Sequence, residues 1–379
     1  MKNPSDGDLG KKLALLRDRE RADRILSGIR KGVENVGREL KFMHVCGTHQ
    51  DTLVRYGLDV LLENVGVRVI QGPGCPVCVT TTGEIEEALA LARAGVTVAI
   101  YGDMLKVPGA SGSLLRVRGE GGDVRVVYSV EDALKIARDD SSKEVVFMGV
   151  GFETTAPTTA ATILSEPPEN FSVVSCHRTV PEALRFIAES GEVKLDGVIE
   201  PGHVSVIIGT RPYRFLSEEY RLPQVVAGFE PLDLLSGVYM LVRQVVEGRA
   251  EVENEYTRAV REEGNVIAQE MMKEVFRPVD VKWRGFPTIP SSGLEIKDGY
   301  EMWNGRKKYE DILEPVRERE YPDPPGCRCG DVLRGVLEPH ECPLFAKICR
   351  PDNPVGPCMV SFEGGCAIEY KYGRWKMRN

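Results

Sequence analysis

Short apolar runs and amphipathic stretches take turns along this chain from residue 41 onward. Leu40, Phe42, Met43 and Val45 make a run of strand length, and Leu53, Val54, Leu58 and Leu61 then fall on one helical face over Asp51–Leu62. The same reading predicts strands over Val67–Ile70, Val96–Tyr101, Val124–Tyr128, Val145–Val150, Ser172–Cys176, Gly197–Ile199 and Gln224–Ala227. Between them it predicts helices over Glu84–Ala94, Val130–Arg138, Thr154–Leu164 and Pro181–Ser190. Strands alternating with helices imply parallel sheets covered by helices. A charged helical segment over 11–40 comes first, with Leu13, Leu15, Leu16, Ile25, Leu26 and Ile29 as its buried positions. Beyond residue 240 the pattern changes. Val238–Arg249 and Glu251–Phe276 read as charged helices, Trp283–Leu294 as a Gly/Pro/Ser loop, and Tyr321–Gly326 as a stiff, non-helical linker.

Three blocks recur in the same order. Phe42–His49 is echoed by Phe147–Thr155, Val69–Gly74 by Val198–His203, and Val98–Met104 by Val225–Pro231. The expected fold is therefore α/β, two similar lobes with parallel sheets, followed by a helical, cysteine-rich domain. The expected divisions are 1–40, 41–130, 131–240 and 241–379. If the lobes face each other, their strand-end loops converge on one cleft, a favoured place for a ligand site.

Composition narrows the classes. A net charge of −8 argues against a nucleic-acid groove or an anionic-membrane surface. The polar start, Met1–Gly10, lacks the apolar core of a signal peptide, and no apolar run reaches the length of a membrane span. A cytoplasmic protein is expected. Ten cysteines are then too many for structural disulfides, and six of them crowd into the last 53 residues. That distribution favours metal binding or redox chemistry.

Cys46 ends a strand and opens a helix, where the helix N-terminus can stabilise a thiolate; a packed structural thiol is the alternative. Cys75-Pro76-Val77-Cys78 suits a dithiol/disulfide couple or two thiolates on one metal. It closes a strand of the same expected sheet, so three thiols can meet. His49 reads as a ligand, a base for Cys46 or a hydrogen-bonder at the helix start. Asp103, Glu153, Thr154, Thr155, His203 and Glu230 are the matching polar loop ends, with a helix cap as the plain reading for either threonine. In the tail, Cys327, Cys342, Cys349 and Cys366 form a four-thiolate set spaced by 14, 6 and 16 residues. Such a set holds a [4Fe–4S] cluster or a structural zinc. Cys329 and Cys358 remain, as a dithiol pair near that centre. No P-loop or complete dinucleotide fingerprint is present.

Taken together, Cys46-Gly47-Thr48-His49, Gly72–Cys78, Gly151–Pro157, Pro201–Ser205, Trp283-Arg284-Gly285, Ile289–Leu294 and the tail cysteines resemble the HypD family of hydrogenase maturation proteins over essentially the whole chain. The resemblance implies a scaffold on which the Fe(CN)2(CO) group of [NiFe] hydrogenase is assembled, with a HypC-like small chaperone and a HypE-like cyanide-delivering protein as partners. It implies that Cys46 with Cys75 or Cys78 holds the iron or runs a thiol couple, while His49, Asp103 and His203 line the cleft and Glu153, Thr154 and Thr155 bind the cargo. It also implies a [4Fe–4S] cluster on Cys327, Cys342, Cys349 and Cys366, beside a redox pair of Cys329 and Cys358. Cys176 has no role in the pattern. A cluster-dependent thiol–disulfide reductase acting on a protein partner would use the same cysteines, and is the competing expectation.

Overall fold

A computed structural model describes residues 17–373 of the chain. Leu13, Leu15 and Leu16 therefore lie outside the described residues. The entry helix runs over Arg19–Val36, started by the Asp18 side chain accepting from Arg21 N and ended by Gly37 in a left-handed conformation. Leu26, Ile29 and Val33 are its buried face. They pack against the helix Pro231–Glu247, which Gly28 and Gly32 allow to approach, since a Cβ at either would meet Tyr239 or Val242.

Among the described residues nine parallel strands form two sheets, eight of them where the alternation of patterns predicts and the ninth inside the helix expected over Glu251–Phe276. Strands β1 (Leu40–His44), β2 (Val67–Gln71), β7 (Gly197–Pro201), β8 (Gln224–Ala227) and β9 (Val252–Asn254) make one, in the order β2-β1-β7-β8-β9. Strands β3 (Thr97–Tyr101), β4 (Val124–Val127), β5 (Val145–Gly151) and β6 (Phe171–His177) make the other, in the order β4-β3-β5-β6. The chain leaves the first sheet after β2, builds the whole of the second, and returns at β7. The boundary expected at 130/131 thus falls inside the second sheet, and the first sheet takes strands from both expected lobes. The sequence repeat does not follow the sheets either. β1 and β2 share a sheet with β7 and β8, the strands of their expected counterpart lobe. The two sheets nonetheless share one topology, β2-β1-β7-β8 and β4-β3-β5-β6 each running second-first-third-fourth in chain order, so similar lobes are present although the recurring blocks do not join their equivalent strands.

One core lies between the first sheet and the helices Arg19–Val36 and Pro231–Glu247, and another between the second sheet and the helices Val130–Asp139 and Ala156–Leu164. The largest core joins the two sheets and the tail, and it contains Cys75, Cys78, Cys176, Cys329, Cys342, Cys349, Cys358 and Cys366.

Two expectations beyond residue 240 are corrected. The helix expected over Glu251–Phe276 is confined to Val266–Val275, with Asn265 capping it through Ala268 N at 3.1 Å. Gly264, left-handed and pressed against the Gly209 backbone, breaks the chain before it. The loop expected over Trp283–Leu294 is largely an antiparallel hairpin of β10 (Phe276–Lys282) and β11 (Thr288–Ile296). Its alternation is hidden by the prolines and serines of β11, while Ile289, Leu294 and Ile296 still face inward. Tyr321–Gly326 is non-helical, as expected. Among the described residues no helix is long and apolar enough to cross a membrane.

Candidate functional site

β1 and β2 run side by side in register, His44 opposite Gln71, so the loops after them emerge together. Gly47 N donates to Gly74 O at 3.1 Å and Gly72 N to His44 O at 2.8 Å. A Cβ at Gly74 would collide with the backbone of Val45 and Cys46, so this close approach requires glycine. Cys46 is the residue before the helix Gly47–Tyr56. Cys75 stands likewise before a one-turn helix, Pro76–Val79, which the sequence reading did not foresee. Cys75 and Cys78 are joined as a disulfide, with Cα atoms 5.2 Å apart.

Cys46 is only 7% exposed. Amide groups of Thr48 and His49 point at its sulfur and favour the thiolate, as the helix position predicts. Burial, aided by the charge of Glu363, outweighs them and pushes the pKa up to about 12. Of the two readings, a stabilised thiolate and a packed thiol, this state of Cys46 matches the packed, protonated thiol.

His49 is fully buried, and its Nε2 lies 3.1 Å from Gly228 O and 3.3 Å from Ala227 O. Donation from Nε2–H to these carbonyls leaves Nδ1 without a partner. Burial, and after it the neighbouring His44, holds the ring neutral, with a pKa lowered to about 3. Of its three expected roles, the geometry favours the hydrogen-bonder: His49 ties the Cys46 loop to the end of β8. His203 is exposed and stacks on Phe229 with centroids 3.8 Å apart, while His49 approaches that ring at 5.2 Å.

Asp103 opens a short turn after β3 and accepts a hydrogen bond from Ser361 Oγ at 2.9 Å. Glu153 follows β5; its Oε1 accepts from Val180 N at 3.0 Å, Oε2 has no partner, and burial raises its pKa to about 8. Thr154 is exposed, and Thr155 turns its hydroxyl back onto Phe152 O at 3.2 Å instead of capping the helix Ala156–Leu164. The charges of Glu200, Glu153 and Cys46 all reach the buried Tyr213. The ends of β7, β5 and β1, drawn from both sheets, therefore converge, as the facing arrangement predicts.

Glu200, Tyr213, Phe229 and Glu363 were missed as site residues. Glu200 is fully buried with neither carboxylate oxygen partnered, and burial raises its pKa strongly. Its signal was available, an acid in an otherwise apolar strand. Tyr213 and Glu363 carry none, because only tertiary contact brings them here. Glu363 packs directly on Gly47, where any Cβ would meet it.

The tail brings its cysteines onto the same region. Segments Cys329–Leu333 and Pro357–Met359 both pack on the turn Pro76–Val79 that carries Cys78. None of the six tail cysteines is in a disulfide. Cys329 lies among the expected cluster set: its thiol meets those of Cys327 and Cys366, and Cys349 feels both Cys327 and Cys329. A Cβ at Gly356 would lie 2.6 Å from the sulfurs of both Cys327 and Cys329. Cys342 is also buried, while Cys358 is felt by Cys366. Among the described residues no group of three or more His, Cys, Asp or Glu side chains stands ready to hold a metal ion. The donor chemistry nevertheless suits an iron–sulfur group, since Cys327, Cys329, Cys349 and Cys366 are soft thiols outside any disulfide and interact with one another.

Comparison with known proteins agrees with these motifs. The family model HypD, described as the hydrogenase formation hypA family, matches residues 20–373. The chain is 47% identical to a putative hydrogenase expression/formation protein of Methanocaldococcus jannaschii, over 95% of this chain and 99% of that one. It is 47% identical to the hydrogenase maturation factor HypD of Cupriavidus necator (95% and 96% covered). It is 43% identical to that of Escherichia coli (88% and 90% covered). With the family model spanning nearly every described residue, the chain belongs to the HypD family of hydrogenase maturation factors.

Proposed function

We propose that this protein is the scaffold on which the Fe(CN)2(CO) group of [NiFe] hydrogenase is assembled, with the iron held by Cys46 and one of Cys75 and Cys78. The observation that carries this reading is the hydrogen-bonded approach of the Cys46 and Cys75 loops, which gathers three soft sulfur donors at the convergent strand ends. Cyanide and CO are strong-field ligands that favour low-spin iron(II), and two thiolates anchor such an iron while leaving positions open for them.

The protein's own residues prepare the site in two ways. Reduction of the Cys75–Cys78 disulfide takes up two electrons and two protons and frees two thiols beside Cys46. Deprotonation of Cys46 then requires relief of its burial, and the covering element is the tail, through Glu363 on Gly47 and Ser361 on Asp103. Cys327, Cys342, Cys349 and Cys366 would hold the [4Fe–4S] cluster. When bound, such a cluster supplies electrons one at a time. Cys329 and Cys358 would be the adjacent dithiol; what supports that placement is the packing of both their segments on the turn of Cys78. His203, exposed on its Phe229 platform, offers a polar edge to an incoming group. A HypC-like chaperone and a HypE-like cyanide donor are the proposed partners, in the cytoplasm.

The competing reading, a cluster-dependent disulfide reductase, uses the same sulfurs. Infrared spectra of anaerobically purified protein, co-produced with its small chaperone, separate the two. The scaffold predicts bands from iron-bound cyanide and CO; catalytic reduction of a partner disulfide without such bands contradicts it.

A further inference from the structure

Cys75 and Cys78, joined as a disulfide, have no solvent exposure. Reduction by exchange requires a thiolate in contact with one of the two sulfurs, so a soluble thiol is shut out and the attacking thiol must belong to the protein. The tail segments Cys329–Leu333 and Pro357–Met359 pack on the turn Pro76–Val79, and Cys329 and Cys358 are free. The loop between β10 and β11 holds these two parts against each other.

Carbonyls at the end of a buried one-turn helix need donors from elsewhere in the chain. One residue supplies two. Arg284 N donates to Val79 O at 2.8 Å, and Arg284 Nε donates to Thr80 O at 2.9 Å. Its Nη1 donates to Asp323 Oδ1 at 2.6 Å, in the linker that leads to Cys327. The side chain is almost wholly buried. The next residue, Gly285, has a φ of 77°, and a Cβ there would collide with the backbone of Gly330, the residue after Cys329. Gly285 O also accepts from Arg334, whose Nη2 donates to Asp331 Oδ1 at 2.7 Å. Trp283 anchors the loop itself. It is fully buried, its Nε1 donates to Ser292 Oγ at 2.8 Å, and its ring stacks on Phe152 with centroids 5.8 Å apart. Arg284 and Gly285 thus grip the chain just after Cys78 on one side and just after Cys329 on the other.

We infer that Arg284 is a positioning residue for reduction of the Cys75–Cys78 disulfide, holding that turn in register with the tail segment of Cys329. The inference rests on the scaffold reading above, in which Cys329 and Cys358 are the redox pair. In the exchange a tail thiolate attacks one sulfur of Cys75–Cys78, and the second tail thiol then closes a new disulfide. One S–S bond breaks and one forms, and two protons pass from the oxidised pair to the reduced one. Such an attack depends on alignment, and a misplacement of about 1 Å costs about 100-fold in rate. Only a planar fork spans Thr80 O and Asp323 in this way; a lysine ammonium keeps the charge but not the span.

The test uses the full chain, oxidised and then mixed anaerobically with dithionite as electron donor. Alkylation and mass spectrometry follow the appearance of the Cys75 and Cys78 thiols. Cys329→Ser is expected to abolish it. Arg284→Met is expected to slow it about 100-fold and Arg284→Lys about 10-fold, with the midpoint potential of the Cys75–Cys78 pair unchanged. Arg284→Lys, the gentler change, carries the test if Arg284→Met does not fold. Arg125→Gln, on strand β4, is expected to keep the parent rate. Reduction undiminished in Cys329→Ser overturns the redox-pair reading and this inference with it. Reduction lost in Cys329→Ser but at the parent rate in the Arg284 variants overturns this inference alone. So does a slowing matched by a shift in midpoint potential, which marks a purely structural change of the turn.

Discussion

Single residues at the site are tuned mainly by burial. Glu153 shows the consequence most plainly, its pKa lifted from an ordinary 4.5 to about 8. Between those values the folded chain keeps a proton that the unfolded chain releases. A buried acid of this kind imposes no penalty below pH 4.5, and stability is lost as pH rises toward 8. Glu153→Gln keeps an acceptor for Val180 N and removes the titrating proton. The variant should therefore gain thermal stability relative to the parent from about pH 5 to pH 8, as read by melting temperature at several pH values. A constant difference across that range would contradict the buried, protonated assignment. Cys46 obeys the same physics. Its place at a helix start was legible in Cys46-Gly47-Thr48-His49, but its protonation was not, because it follows from burial and from the charge of Glu363, which only the fold brings here.

At the scale of elements, the two sulfur-bearing loops depend on a backbone contact. Gly74→Ala would force a methyl group into Val45 and Cys46, and is expected to destabilise the chain by about 1–3 kcal/mol. Gly119→Ala, where a Cβ meets nothing, should stay within about 0.5 kcal/mol. Equilibrium denaturation of both variants checks the contrast, and equal effects would show that the loops are free to part. Elements with a strong period were legible: the strands from Leu40 to Ala227 lie where their apolar runs place them. The β10–β11 hairpin was not, because Pro287, Pro290, Ser291 and Ser292 make a half-exposed strand look like a loop. The one-turn helix of Cys78 is too short for any period to show.

Across the whole molecule, the order of the strands is what sequence could not supply. Periodicity tells a strand from a helix, yet says nothing of which strand it pairs with, so β7 beside β1 emerges only from tertiary structure. Long-range charge pairs lock the parts together in the same way. Arg178 at the end of β6 binds Glu84 at 2.6 Å, and Arg306 reaches Glu84, Glu87 and Glu295 from the segment after the hairpin. Arg178→Met should cost about 3–5 kcal/mol, because it leaves a buried carboxylate under-compensated. Adding Glu84→Gln should recover part of that loss, and purely additive effects in a double-mutant cycle would argue against a coupled pair.

The cysteine motifs, by contrast, carried the family and the convergence of loops directly, and the claim that matters most rests on Cys46. Infrared spectroscopy of the anaerobic Cys46→Ala variant, prepared beside the parent chain with the small chaperone, tests it most directly. The parent should show cyanide and CO bands, and the variant should lose them while keeping its fold by circular dichroism. Bands of unchanged position and intensity in Cys46→Ala would contradict the account.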